Sequence, residues 1–326
     1  MGRLAAGGSL VCSLVLVLTG CGSATAGSAA QHHVTLYTCI SDTTIQPVIT
    51  AFEDAHPSVR VDLYRAPTGQ LNARVAADAR SGGLRADVVW ACDPLTQQAF
   101  VDQGLTGGWT PSDSPVPAGH RTADYVAGAV LYVIAVHRTD VPAPQAWSDL
   151  TDPVYGGRVA VPDPGVAASA LGALGWFAAE PGYGLGFYRR LKAAGAVQVG
   201  TPDDVTTGVA QGQYTAGITI ATSAYAAKKD GSPVDVAWPQ PGAVAIDEPL
   251  ALARHTDAAA DARDFISFVT GRDGQKAVAD AGSYPALPDV GGPTVPSGAP
   301  VVTPDWASIA AGQEQMLAEY QQVFGG

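Results

Sequence analysis

The sequence has few charged residues, and positive charge is the scarcer kind. Only 15% of its 326 residues are charged, and 18 lysines and arginines stand against 30 aspartates and glutamates, which gives a net charge of −12. Nucleic acids and anionic lipid surfaces are recognised mainly through clustered positive charge. The composition therefore argues against both as main partners, and we expect no binding to nucleic acid.

Long hydrophobic runs are also scarce, and the one that stands out lies near the N-terminus. It extends from Leu10 to Leu18, follows a single positive charge at Arg3, and is too short to cross a bilayer as a helix. This layout is typical of an export signal. The run ends in Leu18-Thr19-Gly20-Cys21, which resembles the lipobox of bacterial lipoproteins, in which cleavage leaves a lipid-modified N-terminal cysteine.

The lipobox resemblance predicts a signal peptide at residues 1–20, lipidation of Cys21, and a tether of small, flexible residues at 21–30. The protein would then be extracytoplasmic and anchored to the outer face of the cell membrane by its N-terminal lipid. The alternative is an ordinary secretory signal in which Cys21 has no special role. Labelling with palmitate that depends on Cys21 would distinguish the two.

Cysteine is rare, with four residues in the whole sequence. Cys12 would leave with the signal and Cys21 would carry lipid, so that Cys39 and Cys92 remain. In an exported protein a remaining pair usually forms a disulfide. Closing so long a loop would stabilise the fold by about 4 kcal/mol. Two free, buried thiols are the alternative.

The sequence also lacks the common catalytic and cofactor motifs. No nucleophile elbow, zinc-protease helix, phosphate-binding loop or dinucleotide fingerprint occurs in the required context. Ser169 lies near a predicted helix start, but no histidine is placed beside it by the sequence. We therefore expect a protein that is not an enzyme and that needs no cofactor.

Strand and helix signals alternate in the first part of the exported chain. Strands are predicted where hydrophobic residues alternate or run together, and helices where they recur at spacings of three and four. The predicted strands are 33–37, 59–64 and 86–91, and the predicted helices are 43–55, 68–80 and 94–103. The alternation and the continuous hydrophobic run at 86–91 indicate a parallel sheet covered by helices.

After a loop rich in glycine, proline and serine at 107–119, the alternation continues less regularly. The length of the chain suits two lobes of ordinary size better than one large domain. The predicted strands in this part are 127–137, 158–161, 216–220, 234–238 and 250–253. The predicted helices are 145–150, 166–179, 182–194, 202–211, 222–229, 257–269, 273–281 and 304–323.

Several segments resemble one protein family in their order and spacing. They read DTTIQPVITAFEDAHP, APTGQLNARVAADA and ADVVWACDP in the first part, then PQAWSDLTDPVYGGRVAVPDP, TPDDVTTGVAQGQYTAGIT and ARDFISFVTGRDGQKAVADAGSYPALPDV. Together they resemble the hinged solute-binding proteins of ABC transporters, over about residues 33–290. The branch that they resemble binds iron(III), phosphonates or sugar phosphates.

The family resemblance implies an α/β fold of the type II periplasmic-binding-protein architecture. Two lobes with mainly parallel sheets flanked by helices would be joined by crossing strands, with the ligand in the cleft between them. Lobe 1 would comprise 31–126 and about 250–284, and lobe 2 about 127–249 and 285–326. The first and third strands would be neighbours, so that Cys39 and Cys92 would meet at the rim of the cleft.

Helix N-termini that follow strands supply the candidate ligand site. The first turn of a helix has unpaired backbone N–H groups and a partial positive charge, so several such turns can hold an anion without a lysine. The resemblance brings five of these turns to the cleft. The candidate ligand-binding residues on them are Ser41, Asp42, Thr68, Gly69, Asp93, Ala168, Ser169, Thr222 and Tyr225.

Simpler roles remain open for these residues. Each turn taken alone is equally explained by a helix cap. Asp42 and Asp93 would repel an anion unless they cap a helix or pair with a cationic part of the ligand, as in an aminophosphonate. Tyr225 and Trp238 could contact the ligand or be buried wall residues.

Iron(III) is a weaker expectation than an anion. Iron-binding relatives commonly use two adjacent tyrosines, and the matching segment here reads Thr222-Ser223-Ala224-Tyr225, with Ala224 in place of one of them. Such relatives can also supply a histidine after the first strand, where this sequence has Cys39. We therefore predict no metal ligands.

The sequence thus predicts a monomeric, lipid-anchored protein that binds a small polar solute in an interlobe cleft and delivers it to an ABC permease. We expect the solute to be an anion of the phosphonate or phosphate-ester type. The alternatives are an iron(III)-binding transport protein, a ligand-binding receptor of a sensory system and, more remotely, an extracellular hydrolase on the same fold.

Overall fold

A computed structural model describes residues 31–293 and 295–325 of the chain. The predicted signal peptide, the predicted lipidation site Cys21 and the predicted tether lie outside the described residues. Within the described residues, no helix combines the length and the hydrophobicity that crossing a bilayer requires.

The described residues form eleven β-strands. The strands are β1 (His32–Thr38), β2 (Val59–Arg65), β3 (Val88–Trp90), β4 (Val126–Arg138), β5 (Val159–Pro162), β6 (Val197–Val199), β7 (Ala216–Ile220), β8 (Val234–Ala237), β9 (Ala243–Leu252), β10 (Tyr284–Pro285) and β11 (Val301–Val302).

Ten α-helices and several short 3-10 turns connect these strands within the described residues. The helices are α1 (Asp42–Ala55), α2 (Thr68–Arg80), α3 (Pro94–Asp102), α4 (Ala168–Ala179), α5 (Gly184–Ala193), α6 (Pro202–Ala210), α7 (Ala221–Lys229), α8 (Ala259–Thr270), α9 (Arg272–Asp280) and α10 (Trp306–Phe324).

The eleven strands form one sheet, in which eight follow the order β2-β1-β3-β9-β4-β7-β5-β6, β8 and β10 pair with β4, and β11 pairs with β9. At one end β1 pairs in parallel with β2 and β3, and at the other end β5 pairs in parallel with β6 and β7. The long strands β4 and β9 are antiparallel to each other and join the two parallel groups. The sheet therefore has two parallel halves joined by antiparallel strands, and the predicted α/β class is confirmed.

Each half has its own hydrophobic core. In the first half, α1, α8 and the strands β1–β3 bury Phe52, Phe265 and Trp90. In the second half, side chains alternate along β4, so that Val133 and Ala135 belong to one cluster and Ile134 and Val136 to another. Since alternate side chains of a strand point to opposite faces, helices cover both faces of this half. The exact lobe boundaries given above stay a prediction.

Four strands differ from the sequence expectations. β9 begins at Ala243, whereas only 250–253 was predicted as a strand, and β6, β10 and β11 were not predicted. The polar residues Asp247 and Glu248 interrupt the hydrophobic run of β9, so the hydrophobic pattern did not predict the first part of this strand. β6 has three residues, which is too short for a periodic signal.

Candidate functional site

A cavity of about 200 Å³ lies between the two halves, at the carboxyl ends of their parallel strands. A larger space of about 870 Å³ shares several lining residues with it, and we call the two the inner and the outer cavity. In the inner cavity, residues 39–41, 44, 65, 67, 68, 92 and 283 form what we call the first wall. Residues 166–169, 201–203, 220 and 222 form the second wall, and Val130, Leu131 and Glu248 of the crossing strands β4 and β9 form the floor.

A chain of hydroxyl groups lies at the start of α1 in the first wall. Ser41 is the N-cap residue, but its side chain bonds to no backbone N–H group of the helix. Its hydroxyl lies 3.0 Å from that of Thr43 and 3.1 Å from that of Thr44, and the Thr44 hydroxyl lies 2.6 Å from that of Ser283. The first turn of α1 thus presents backbone N–H groups and hydroxyls together. Sequence reasoning identified Ser41 but missed Thr44 and Ser283.

Arg65 is the basic side chain of the inner cavity, and sequence reasoning missed it. Its Nε donates a hydrogen bond to the backbone carbonyl of Ile40 at 3.0 Å, and one terminal nitrogen lies 4.0 Å from the Asp42 carboxylate. Asp42 itself lines only the outer cavity. A usable signal was present, because Arg65 ends the strand that neighbours β1 and therefore lies at the same edge as Ser41.

The start of α2 brings the two walls into contact. Thr68 lines the inner cavity, whereas Gly69 does not. The Gly69 N–H donates a hydrogen bond to the carbonyl of Val166 in the second wall at 3.2 Å. A Cβ atom at position 69 would lie 3.3 Å from the Gly165 carbonyl oxygen, so the absence of a side chain permits this close approach.

The start of α4 lines the second wall with small residues. Ala168 and Ser169 both line the inner cavity, as predicted residues of the site. The N-cap position is Ala167, which has no side chain able to accept a hydrogen bond from the first turn. The N–H groups of this turn are therefore left for other partners, which is the arrangement that favours an anion.

The starts of α6 and α7 complete the second wall. Thr222 lines both cavities, and the first turn of α7 again has no side-chain cap. α6 differs, because Thr201 and Asp204 cap it reciprocally, with the Thr201 hydroxyl accepting from the Asp204 N–H at 3.2 Å. Thr201 and Asp203 line the inner cavity, and sequence reasoning assigned neither to the site.

Tyr225 lies farther out than Thr222. It lines only the outer cavity, and its hydroxyl accepts a hydrogen bond from the indole Nε1 of Trp238 at 3.1 Å. Trp238 in turn packs against Tyr132, with their ring centroids 5.4 Å apart. Both predicted residues therefore belong to one aromatic cluster at the side of the outer cavity.

Asp93, like Gly69, is a predicted site residue that lines neither cavity. Its side chain is buried and caps α3, accepting a hydrogen bond from the Thr96 N–H at 2.7 Å. Burial raises the pKa of this carboxyl, and the bonds from Thr96 oppose that effect only in part. Asp93 thus has the role of a helix cap, which was the alternative that the sequence left open.

The predicted disulfide is confirmed. Cys39 and Cys92 are bonded, with their Cα atoms 5.9 Å apart, and both line the inner cavity. The pairing of Thr38 with Trp90 in the parallel strands β1 and β3 brings the two cysteines together directly after the strands end. A covalent bond therefore braces the first wall.

Glu248 is the ionisable group of the floor. It lies on the crossing strand β9 opposite Ala129 of β4. Burial raises the pKa of its carboxyl to about 8, and the neighbouring charge of Asp247 adds to this shift. At neutral pH the floor therefore presents mainly a neutral carboxylic acid, which can donate as well as accept a hydrogen bond.

The described residues contain no group of three or more histidine, cysteine, aspartate or glutamate side chains placed to hold a metal ion. What converges on the inner cavity is instead one guanidinium group, several hydroxyls and the first turns of five helices. Four of those helices, α1, α2, α4 and α7, have no side-chain cap.

Comparison with known proteins agrees with this geometry. The profile of a family described as bacterial extracellular solute-binding protein matches residues 34–283. A curated relative, the spermidine/putrescine-binding periplasmic protein of Escherichia coli, is 26% identical over 174 residues, which are 52% of this chain. The chain spans about half the length of the curated relatives that it matches, at 50% of each.

Solved structures show the same fold over nearly the whole chain. The periplasmic binding protein AfuA from Actinobacillus pleuropneumoniae, with fructose-6-phosphate bound, matches with a TM-score of 0.79 and 16% identity over 90% of this chain and 99% of its own. Iron-bound HitA from Pseudomonas aeruginosa matches with a TM-score of 0.76 and 19% identity, again over 90% and 99%. A substrate-binding protein of an ABC transporter from Agrobacterium tumefaciens matches with a TM-score of 0.82 and 15% identity, over 91% and 95%.

Proposed function

The chain belongs to the family of bacterial extracellular solute-binding proteins, and on this basis we propose that it captures a small oxyanion for an ABC importer. The solute would be of the phosphonate or phosphate-ester type and would occupy the inner cavity. The proposed partner is the membrane permease that accepts the solute. Anchoring through a lipidated Cys21 would keep the binding protein near that permease.

The main support for an anion is the set of uncapped helix starts around one cavity. The first turns of α1, α2, α4 and α7 offer backbone N–H groups at the positive ends of helix dipoles. Arg65 adds the charge and the donors that suit a phosphoryl group. Several oriented donors on both walls would also give the solute a role in closing the cleft, since contacts to both halves favour the closed state.

The oxyanion proposal is supported over iron(III) by the side chains that are present. Tyr225 is the tyrosine of the segment where iron-binding relatives commonly have two, and its hydroxyl already accepts a bond from Trp238. The residue before it is the buried Ala224. A tyrosinate-to-iron absorption band on addition of ferric citrate would overturn this preference.

A polyamine is the second candidate. The curated relative is named for spermidine and putrescine, and Asp203 and Glu248 line the inner cavity. Against it, an amine would face the positive ends of four helices and the guanidinium of Arg65. Ligand screening separates the two solute classes, because they differ in the sign of their charge.

A thermal-shift screen of the purified protein tests the proposal. Fructose 6-phosphate, aminoethylphosphonate, inorganic phosphate, putrescine, spermidine and ferric citrate should be compared at equal ionic strength. A ligand at a hundred times its dissociation constant stabilises a protein by about 2.7 kcal/mol. We expect stabilisation by a phosphoryl compound; stabilisation by the amines alone would reject the anion, and Thr68→Val should weaken the response without unfolding the protein.

A further inference from the structure

The floor of the inner cavity contains an acidic side chain whose carboxyl has no hydrogen-bond partner among the described residues. This residue is Glu248, and it is partly buried. Its backbone is held firmly, because its carbonyl accepts a hydrogen bond from the Trp90 indole at 2.9 Å and it pairs with Ala129 across the crossing strands. The backbone of Glu248 is therefore held in place, and the residue lines the cavity where both walls meet.

A carboxylate at this position would oppose the rest of the cavity. The donors of the helix starts and of Arg65 attract an anion, and an ionised carboxyl beside that anion would repel it. The conflict disappears when the carboxyl is protonated, because the neutral acid has an O–H group that donates to an oxygen of the ligand. Burial raises the pKa of Glu248 to about 8, so the neutral form is available near neutral pH.

Several other ionisable groups lie on the elements around Glu248. Asp247, its neighbour in β9, lies 2.8 Å from the His120 ring, and this hydrogen bond raises the pKa of His120. Burial, followed by the charge of Asp247, raises the pKa of Tyr132 on β4. Further groups are Arg65 at the end of β2, Asp93 at the start of α3, Asp203 in α6 and Tyr284 of β10, which pairs with Val130 of the floor.

We propose that the Glu248 carboxyl donates a hydrogen bond to an oxygen of the bound anion and thereby acts as a specificity-determining residue of the cavity. It selects oxyanions over amines, because an amine requires the ionised form of the same group. This inference rests on the proposed function. It also predicts the direction of proton exchange on binding. Binding of an oxyanion is linked to uptake of a proton by Glu248, whereas binding of an amine is linked to release of a proton from Glu248.

Calorimetric titration with fructose 6-phosphate tests the linkage. The second pKa of a phosphate monoester is about 6. The probe is therefore a dianion in all titrations between about pH 7.5 and about pH 9.5. In the wild-type protein the affinity should fall above pH 8, approaching tenfold per pH unit. Titrations in two buffers of different ionisation enthalpy should show proton uptake at pH 8.

The variant Glu248→Gln should bind the probe with an affinity that no longer changes over this pH range. Its control is Asp203→Asn, which removes the other carboxylate of the inner cavity and should keep the wild-type pH slope. The melting temperature of Glu248→Gln minus that of the wild type should also be larger at pH 9 than at pH 5. The reason is that a raised carboxyl pKa gives stability that is present at low pH and is lost as the pH rises through it.

The outcomes separate the two proposals. Equal pH slopes and equal proton uptake in wild type and Glu248→Gln would overturn the role of Glu248 and leave the anion site standing. Absence of fructose 6-phosphate binding together with putrescine binding and proton release would overturn both. Proton uptake measured in the wild-type protein alone decides the question if the variant fails to fold.

Discussion

The two walls of the inner cavity differ in the groups that they offer to an anion. The first wall carries a full positive charge at Arg65 and is braced by the Cys39–Cys92 disulfide. The second wall has no disulfide among the described residues and no basic side chain lining the cavity. Both walls have uncapped helix starts, those of α1 and α2 in the first and those of α4 and α7 in the second, but in the second wall no charged donor accompanies them.

This difference makes it possible to distinguish the contribution of the Arg65 charge to solute affinity from that of the helix dipoles. A guanidinium attracts an anion over a long range and is screened by salt, whereas a helix start acts only within its first turn. The first wall should therefore dominate capture of the solute, and the second should dominate its orientation. Changes in one wall should leave the other wall's contribution measurable, which makes each substitution below a test of the comparison.

The largest effect should come from removing the brace of the first wall. Replacing Cys39 and Cys92 together by serine should destabilise the protein by about 4 kcal/mol on the chain-entropy account. Solute affinity should also fall, because both cysteines line the inner cavity. Thermal unfolding with and without reductant measures the effect, and the double variant itself should not respond to reductant. Unchanged melting of the reduced wild type would contradict this prediction.

The next effect should come from closing the helix start in the second wall. Ala167→Asp supplies the missing cap of α4, which should stabilise the protein by about 1 kcal/mol. The same carboxylate should weaken oxyanion binding by about 3 kcal/mol, since like charges a few ångströms apart repel at that scale near a protein surface. Melting temperature and solute affinity should therefore change in opposite directions.

Ala167→Asn is the matched control for that variant, because it caps the helix without adding charge. It should give a similar rise in melting temperature and a much smaller loss of affinity. If both variants lose affinity equally, occupancy of the N–H groups and not charge is what matters in the second wall.

A smaller effect is expected from removing the charge of the first wall. Arg65→Met keeps much of the hydrophobic stem and should cost about 2 kcal/mol of oxyanion affinity, the scale of a hydrogen bond to a charged group. The salt dependence of binding should fall with it. Arg60→Met, in the same strand but outside the cavity, should retain the wild-type affinity. Equal salt dependence in the two variants would place the relevant charge elsewhere.

The smallest effect should come from the helix start that lies outside the cavity. Asp93→Ala removes the cap of α3 and should destabilise the protein by about 1 kcal/mol. Since Asp93 lines neither cavity, solute affinity should stay unchanged at temperatures well below melting. Asp305→Ala, which removes the cap of α10, provides a second example of a cap remote from the cavity. A loss of affinity in Asp93→Ala alone would return Asp93 to the ligand site.

Sequence reasoning located most of the fold because its signals are local. Hydrophobic alternation identified β1 and β2, and a continuous hydrophobic run identified β3. It failed in β9, because this strand crosses between the halves and places Asp247 against His120 and Glu248 in the cavity. A strand with polar residues on both faces looks like a loop when its partners are unknown.

The site was harder to predict than the fold. Five of the predicted residues line the inner cavity, because they follow strands whose carboxyl ends meet, and their contact with a ligand stays a prediction: Ser41, Thr68, Ala168, Ser169 and Thr222. Arg65 and Ser283 were missed because each lies at the end of another element and only tertiary structure brings it close. Asp93 and Thr201 cannot be told apart from the local sequence. Both cap a helix that follows a strand, yet only Thr201 lines the inner cavity.

The direction of β1 determines how the protein can be immobilised without blocking the inner cavity. The chain enters this strand at His32 and reaches the inner cavity at Cys39, so entry point and cavity are separated by about 20 Å, the length of a seven-residue strand. Attachment ahead of Gln31, whether to a lipid, a bead or a sensor chip, therefore joins the end of β1 that is remote from the solute. Immobilisation through the N-terminus should leave solute uptake unchanged.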